Sequence, residues 1–333
     1  MSGTGATVSE DPLPTVSVVV PTYNRSAGLT PVLLALLGDP TTLELVVVDD
    51  GSTDGTADLL RDLEVSWPRL RPVTTENRGG AAARQHGIDI ATGDVVLLLD
   101  DDVLAAQGLV SGHARLHAQG PSQVVLGYMP TKLPTGTAAG RFATFLYAQE
   151  YEKTCDSYER DPREILLRLW GGNVSLRRED LAVVPYDSGP FSRTNHSDRD
   201  FGIRCLKAGL AGRFDRSLLA SHEHHRPLDA FLRDARKQGA GRYGVHQAHG
   251  DVLEPFGLED TLTDLPGPVR SVLALDRWRP VGTAMDRVLR TVARTAGGAG
   301  LFPVERGSAK LARRLEMRAG VREAMADPQP SEL

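Results

Sequence analysis

Three consecutive carboxylates, Asp100, Asp101 and Asp102, close the apolar run VVLLL at residues 95–99. Adjacent carboxylates repel one another unless a cation offsets them, and hard divalent ions such as Mg2+ and Mn2+ take oxygen ligands and bridge to a substrate's phosphates. The triplet therefore points to a cation and phosphate site. SHEHHR at 221–226 supplies imidazoles, His222 and His224 among them, that could complete a Mn2+ shell; a surface histidine cluster titrating on its own is the plainer alternative. Three more stretches carry weight only in company. PTYNR at 21–25 is either a proline turn at a strand end or a ligand loop. DDGSTDG at 49–55 suits an Asp-rich turn leading into a helix capped by Ser52 or Thr53. NRGGAAAR at 77–84 sets Arg78 and Arg84 around small residues that let a backbone approach a ligand closely.

The elements that must position these residues alternate in type. TVSVVVPTYN, LELVVVDDGS, LRPVTTE and DVVLLLDDD are β-rich runs, and GLTPVLLALLG, TADLLRDLEV and AAARQHGIDIAT between them have helical patterns, the last ended by Gly93. Short apolar strands separated by helices predict a parallel sheet covered on both faces, with ligands beyond the carboxyl ends of its strands. Pro21 to Arg25, Asp49 and Asp50, and Asp100 to Asp102 stand at three such ends. SQVVLGYMP and the WGGNVSLRR region should extend the sheet, and RFATFLYAQEYEK should be helical. SDRDFGIRCLKAG is a helix with Ser197 as N-cap and Gly209 as stop. No repeat of fixed period is present.

Composition limits the function classes. A 333-residue chain with 41% hydrophobic residues can build a substantial core. A net charge of -5 and a pI near 6.0 give no basic face for nucleic acid. Two cysteines, Cys155 and Cys205, cannot make a disulfide framework. Residues 1–13 read as a disordered leader without a signal-peptide pattern, and no apolar run is long enough to span a bilayer. The expected location is cytoplasmic, with membrane contact at most peripheral.

Taken together, SVVVPTYNR, VVVDDGSTDGT, NRGGAAARQHGI, LLLDDDV, WGGNVSLRR and SDRDFGIRCLKAG stand in an order and spacing that resembles the family 2 glycosyltransferases of the GT-A fold, over roughly residues 14–250. The resemblance implies an α/β, Rossmann-like sheet flanked by helices, with a nucleotide-binding half at 14–103 and an acceptor-binding half at 104–250. It implies an inverting hexosyl transfer from a nucleotide-diphosphate sugar, a UDP-sugar first among them, to an acceptor hydroxyl, with a divalent metal, Mn2+ or Mg2+, at a D-x-D motif. By position, Pro21, Tyr23 and Arg25 resemble the nucleotide loop, Asp50 the carboxylate that meets the base, and Arg78 or Arg84 a contact to base or diphosphate. Asp100 and Asp101 match donor contacts and Asp102 the direct metal ligand, joined by His222 or His224. Trp170, Gly171, Gly172 and Asn173 resemble the segment lining the donor-sugar and acceptor side. Asp198 matches the general base, with Asp200 as the competing residue; Asp198 serving only to stabilise a helix start is the structural alternative.

Residues 251–333 carry no such resemblance. AMDRVLRTVARTA and SAKLARRLEMRAG are amphipathic with Arg-rich polar faces, suited to packing on the catalytic unit, to a homodimer, or to an anionic membrane surface. A small-molecule acceptor is expected, with a lipid-linked or envelope polysaccharide acceptor as the alternative. A nucleotidyltransferase would need a glycine-rich phosphate loop after the first strand, which VVVPTYNRSAGL lacks. An inactive sugar-nucleotide-binding scaffold would have no use for both Asp102 and Asp198.

Overall fold

The computed structural model describes residues 12–118, 120–133, 141–189, 191, 194, 196–223 and 227–326. Most of the expected leader and His224 therefore lie outside the described residues.

The β-branched runs form β1 (Val16–Thr22), β2 (Thr42–Asp49), β3 (Leu70–Thr74) and β4 (Val95–Leu99). They pair in parallel in the order β3-β2-β1-β4. The chain walks outward from β1 to β3 and then returns to β4 on the other side, so the carboxyl ends of β1 and β4 flank a topological switch point. Successive side chains serve opposite faces. Val16, Val18 and Val20 pack with Leu29, Leu33, Leu36 and Leu37 of α1 (Leu29–Leu37), while Val19, Val46, Val48, Val96 and Leu98 pack with Ala81, Ala83 and Ile88 of α3 (Gly80–Ile90). Between them α2 (Thr56–Ser66) joins β2 to β3. Gly55 holds the N-cap position and no side chain caps the helix, neither Ser52 nor Thr53; Asp54 Oδ1 accepts from the Thr56 N–H at 3.1 Å in the turn before it. Each buried Val or Leu contributes about 1.5–3 kcal/mol, which explains why uninterrupted apolar runs occupy the centre. Helix α3 lies so flat on β1 that a Cβ at Gly87 would come within 2.3 Å of Val19.

β4 ends at Leu99, before the carboxylate triplet, which forms a turn into the short β5 (Val103–Ala105). After α4 (Leu109–Ala118) come β6 (Gln123–Tyr128), α5 (Arg141–Arg160), α6 (Arg163–Leu167), β7 (Asn173–Arg177), α7 (Arg178–Val183), α8 (Ser197–Lys207) and β8 (Ala211–His222). The order of the full sheet is β3-β2-β1-β4-β7-β6-β8-β5, with β7 antiparallel to both neighbours and β5 antiparallel to β8. β6 and β7 extend the sheet as the sequence predicts; β5, β8 and α4 are additions.

Helix α8 starts one residue earlier than expected. His196 holds the N-cap position, Ser197 is already helical, and no side chain caps the helix. Gly209, at φ +86°, does follow its end, where the Leu210 N–H reaches the Cys205 carbonyl at 3.0 Å. Helices α9 (Leu228–Ala248), α10 (Gly267–Leu273), α11 (Arg279–Gly298) and α12 (Phe302–Ala326) complete the described chain. α12 crosses α9 at backbone contact: a Cβ at Gly239 would meet the Met317 carbonyl oxygen at 2.1 Å, and one at Gly320 the Arg236 carbonyl oxygen at 2.0 Å. Arg318 of α12 is buried against Asp276, with its Nη1 donating to the Leu258 carbonyl at 2.7 Å. The amphipathic faces expected beyond residue 250 are thus used within the chain, Ala293, Ala309 and Ala312 sharing a core with Phe231 and Leu232 of α9. No described helix is long and apolar enough to cross a membrane.

Candidate active site

At the switch point lies a cleft of about 470 Å³ lined by Pro21, Thr22, Tyr23, Asn24, Arg25, Asp50, Gly80, Ala83, Arg84 and Asp100 to Asp102. It collects residues from the ends of β1, β2 and β4 and the first turns of α3. Thr22, the last residue of β1, donates from its hydroxyl to Asp101 Oδ2 at 2.7 Å, tying the two sides of the switch point together. Arg25 spans the triplet, its Nε 3.3 Å from Asp101 and its Nη2 3.3 Å from Asp102. Arg84 ion-pairs with Asp100.

Asp50 is buried and holds the third loop. It accepts the backbone N–H groups of Arg78 and Gly79, each at 2.8 Å. Each carboxylate oxygen retains a second lone pair for a ligand. Arg78 enters this site through its backbone. Tyr23 is half exposed at the cleft mouth.

Across the cleft, Gly171 and Gly172 separate the triplet from Asp198. A Cβ on Gly171 would sit 2.7 Å from Asp198 Oδ2, and one on Gly172 2.6 Å from Asp100 Oδ2. Gly172 has φ +103°, where other residues are strained. Asp198 Oδ2 accepts the Gly171 N–H at 2.9 Å, and Oδ1 accepts the Tyr186 hydroxyl at 2.6 Å. In the first turn of α8, its oxygens thus serve the cleft wall and not the helix's own N–H groups. Asp200 lies elsewhere: buried, it bonds His249 at 2.8 Å, Arg204 at 2.8 Å and Ser188 at 2.8 Å. Burial would raise its pKa, but these three partners hold it below the usual carboxylate value.

The electrostatics are those of crowded carboxylates. Burial pushes Asp101 up to about 6 despite Thr22 and Arg25, with Asp102 and Asp100 adding repulsion. Burial also raises Asp100, against the pull of Arg84. Arg84 is opposed by burial, yet Tyr186, Asp100 and Asp198 keep it firmly protonated.

His222 Nε2 stands 3.4 Å from Asp102 Oδ1, close to the separation of neighbouring ligands on one cation. Among the described residues no group of three or more His, Cys, Asp or Glu is arranged to hold a metal. A two-ligand set of this kind suits Mg2+ or Mn2+, which keep other positions for water and phosphate oxygens. Carboxylates outnumber guanidiniums in the cleft, where Asp50 and Asp100 to Asp102 stand with Arg25 and Arg84, so a cation would relieve their repulsion. The residues present therefore fit such an ion.

Two residues of the WGGN segment separate from the glycines. Asn173 is wholly buried in the sheet, its Oδ1 3.0 Å from His113 Nε2 and its Nδ2 donating to the Leu218 carbonyl at 3.1 Å, so its side chain supports the wall from behind and does not line the cleft. Trp170 is half-buried, donating to the Tyr147 hydroxyl at 3.0 Å, with Tyr147 also 5.2 Å from the His222 ring. Sequence reasoning missed Thr22, Tyr186 and Gln85. Gln85 Oε1 accepts the Tyr186 N–H at 2.6 Å, so adjacent α3 residues fix the triplet through Arg84 and the base-side loop through Gln85. Its position beside Arg84 was the available signal.

Comparisons with known proteins bear on the fold and the family. The uncharacterized glycosyltransferase YfnE of Bacillus subtilis is 31% identical over 254 residues, 63% of this chain and 64% of that protein. A validoxylamine A glucosyltransferase of Streptomyces hygroscopicus is 41% identical over 121 residues, 34% of this chain and 28% of its own length. A mannosyltransferase from Pyrobaculum calidifontis, solved in complex with GDP-Man and Mn2+, superposes with a TM-score of 0.60 at 17% identity, covering 96% of this chain and 92% of that one. That likeness shows the GT-A type of fold. The profile described as Glycosyl transferase family 2 matches residues 17–183, half of the chain, and the protein belongs to that family.

Proposed function

We propose that this protein transfers a sugar from a nucleotide-diphosphate donor, a UDP-sugar in the first instance, to a hydroxyl of a small-molecule acceptor with inversion at the sugar carbon. The observation that carries the reading is the meeting of two carboxylate sets across Gly171 and Gly172, with Arg84 between them. Direct displacement needs both: a base for the incoming hydroxyl and positive charge for the departing diphosphate. Asp198 takes the acceptor proton, oriented by the Tyr186 hydroxyl and the Gly171 N–H. Arg25 and Arg84 face the phosphates, while Pro21, Tyr23, Asp50 and the Arg78 backbone surround the nucleoside. Asp102 and His222 would hold the divalent ion, which when bound acts as a Lewis acid for the leaving nucleotide.

The relatives support parts of this reading. The Pyrobaculum enzyme was solved with GDP-Man and Mn2+, and the Streptomyces relative is named as a glucosyltransferase of validoxylamine A. We assign the chemistry to residues 14–250, with the helices after residue 251 buttressing α9, and place the reaction in the cytoplasm, which suits two buried free cysteines.

Calorimetric titration of UDP, GDP and dTDP with and without Mn2+, on wild type and Asp102→Ala, tests the reading. Metal-dependent binding of one nucleotide that is lost in the variant is expected. Absence of nucleotide binding under both conditions would overturn it.

A further inference from the structure

His222 is the last residue of β8, and its backbone is fixed on both sides. Its N–H donates to the Pro130 carbonyl at 3.1 Å, and its carbonyl accepts from the Lys132 N–H at 2.9 Å. The strand thus sets where the side chain starts, while its two rotatable bonds are left for neighbours to fix. A ligand imidazole needs that help, because only one ring orientation presents a given nitrogen to the ion.

Tyr147 of α5 packs on this ring. The two ring centres stand 5.2 Å apart at 66°, an edge-on contact. Tyr147 is itself held: its hydroxyl accepts from Trp170 Nε1 at 3.0 Å, and its ring meets the Trp170 ring at 5.1 Å and 86°. Trp170 rests in turn on Tyr151, one turn further along α5, at 5.4 Å, and the Tyr151 hydroxyl accepts the Met129 N–H at 2.9 Å. Another side of α5 is seated on α12. Phe145 lies 5.4 Å from Phe302, Gln149 accepts from Arg306 at 2.6 Å, and Glu150 ion-pairs with Arg313. Rotation of α5 would break that seat. Trp170 also precedes Gly171, whose N–H is bound by Asp198, so a line of contacts runs from Asp102 through His222, Tyr147 and Trp170 to the segment that meets Asp198.

We propose that Tyr147 is a positioning residue for the metal site, its ring fixing the plane of the His222 imidazole so that Nε2 stays beside Asp102. The inference rests on the reading of Asp102 and His222 as the ligands of the divalent ion. It adds α5, and through it α12, to the elements that shape the donor end of the cleft.

Each of UDP, GDP and dTDP is titrated calorimetrically with and without Mn2+ on wild type, Tyr147→Phe, Tyr147→Leu and His222→Ala, with Tyr147→Met should the Leu variant fail to fold. The quantity read is the ratio of the two affinities for the nucleotide that wild type binds, which a purely structural role for Tyr147 would leave unchanged. Tyr147→Phe keeps the ring and should hold that ratio within about threefold, whereas Tyr147→Leu should lower it ~10-fold or more with binding in the absence of Mn2+ retained. A ratio kept in Tyr147→Leu, or an equal fall in Tyr147→Phe, would sink the proposal. The His222→Ala arm separates the two readings. A Mn2+ effect lost there but intact in Tyr147→Leu removes only the positioning role; one that survives His222→Ala, or is absent from wild type, removes the ligand assignment and the positioning role with it.

Discussion

The Tyr186 hydroxyl donates to Asp198 Oδ1 at 2.6 Å, while the Tyr186 backbone N–H is held by Gln85. A residue from the loop before α8 thereby fixes the direction of the proposed base. Tyr186→Phe keeps the ring and removes one donor to a charged acceptor, so kcat should fall about 10- to 100-fold with nucleotide affinity unchanged. Asp198→Asn should cut kcat by ~10² to 10⁴-fold with donor binding likewise retained. Steady-state kinetics beside nucleotide titration check both, and full turnover by Asp198→Asn would remove it as the base.

Asp200 should behave in the opposite way. Asp200→Asn leaves His249 and Arg204 without their shared carboxylate in a buried site, an effect of about 3–5 kcal/mol on stability. Urea unfolding should show that loss, and activity per folded molecule should change by less than about tenfold. A collapse of turnover in fully folded Asp200→Asn would reopen the choice between the two carboxylates.

Gly172→Ala tests the wall between the carboxylates. Its Cβ would press on Asp100 at a backbone angle that favours glycine, so a stability loss of about 1–3 kcal/mol should accompany weaker nucleotide binding. Denaturant titration and calorimetry on one preparation measure the two effects. An unchanged affinity would show that Asp100 can move without harm.

His113 and His117 set an acid limit. Both are buried around Ser175, at 2.7 and 2.8 Å from its hydroxyl. Burial brings their folded pKa values down to about 3 and about 4, from 6.5. The unfolded chain therefore binds more protons: the stability they support is complete above pH ~6.5 and declines as pH falls toward 4, by about 1.4 kcal/mol per pH unit for each imidazole. Unfolding curves at pH 7.5, 6 and 5 should show the decline, with a shallower slope in His117→Gln. A slope unaltered by that substitution would count against the assignment.

The first four strands were legible because a parallel strand buried on both faces must be written as an unbroken apolar run, as VSVVV and VVLLL are. β8 was not, because its residues pass between core, surface and site, leaving no simple period. Asp198 and Asp200 are two residues apart in one polar motif; the His249 and Arg204 that occupy the second appear only once α8 and α9 are packed. The place of Asn173 was hidden for a related reason. It follows two glycines that lie against Asp198 and Asp100, but its own side chain is buried in the sheet beside His113. The repulsion within the triplet was readable, whereas the Thr22 and Arg25 that answer it come from a strand end about 80 residues earlier.

The glycine crossings of α9 and α12 also bear on how the chain is made. During synthesis, α12 is made several seconds after α9, at roughly 5–20 residues per second. For that interval Phe231, Leu232 and Ala235 lack the partner that covers them, and a nascent chain with its nucleotide-binding strands already emerged carries an open apolar stripe.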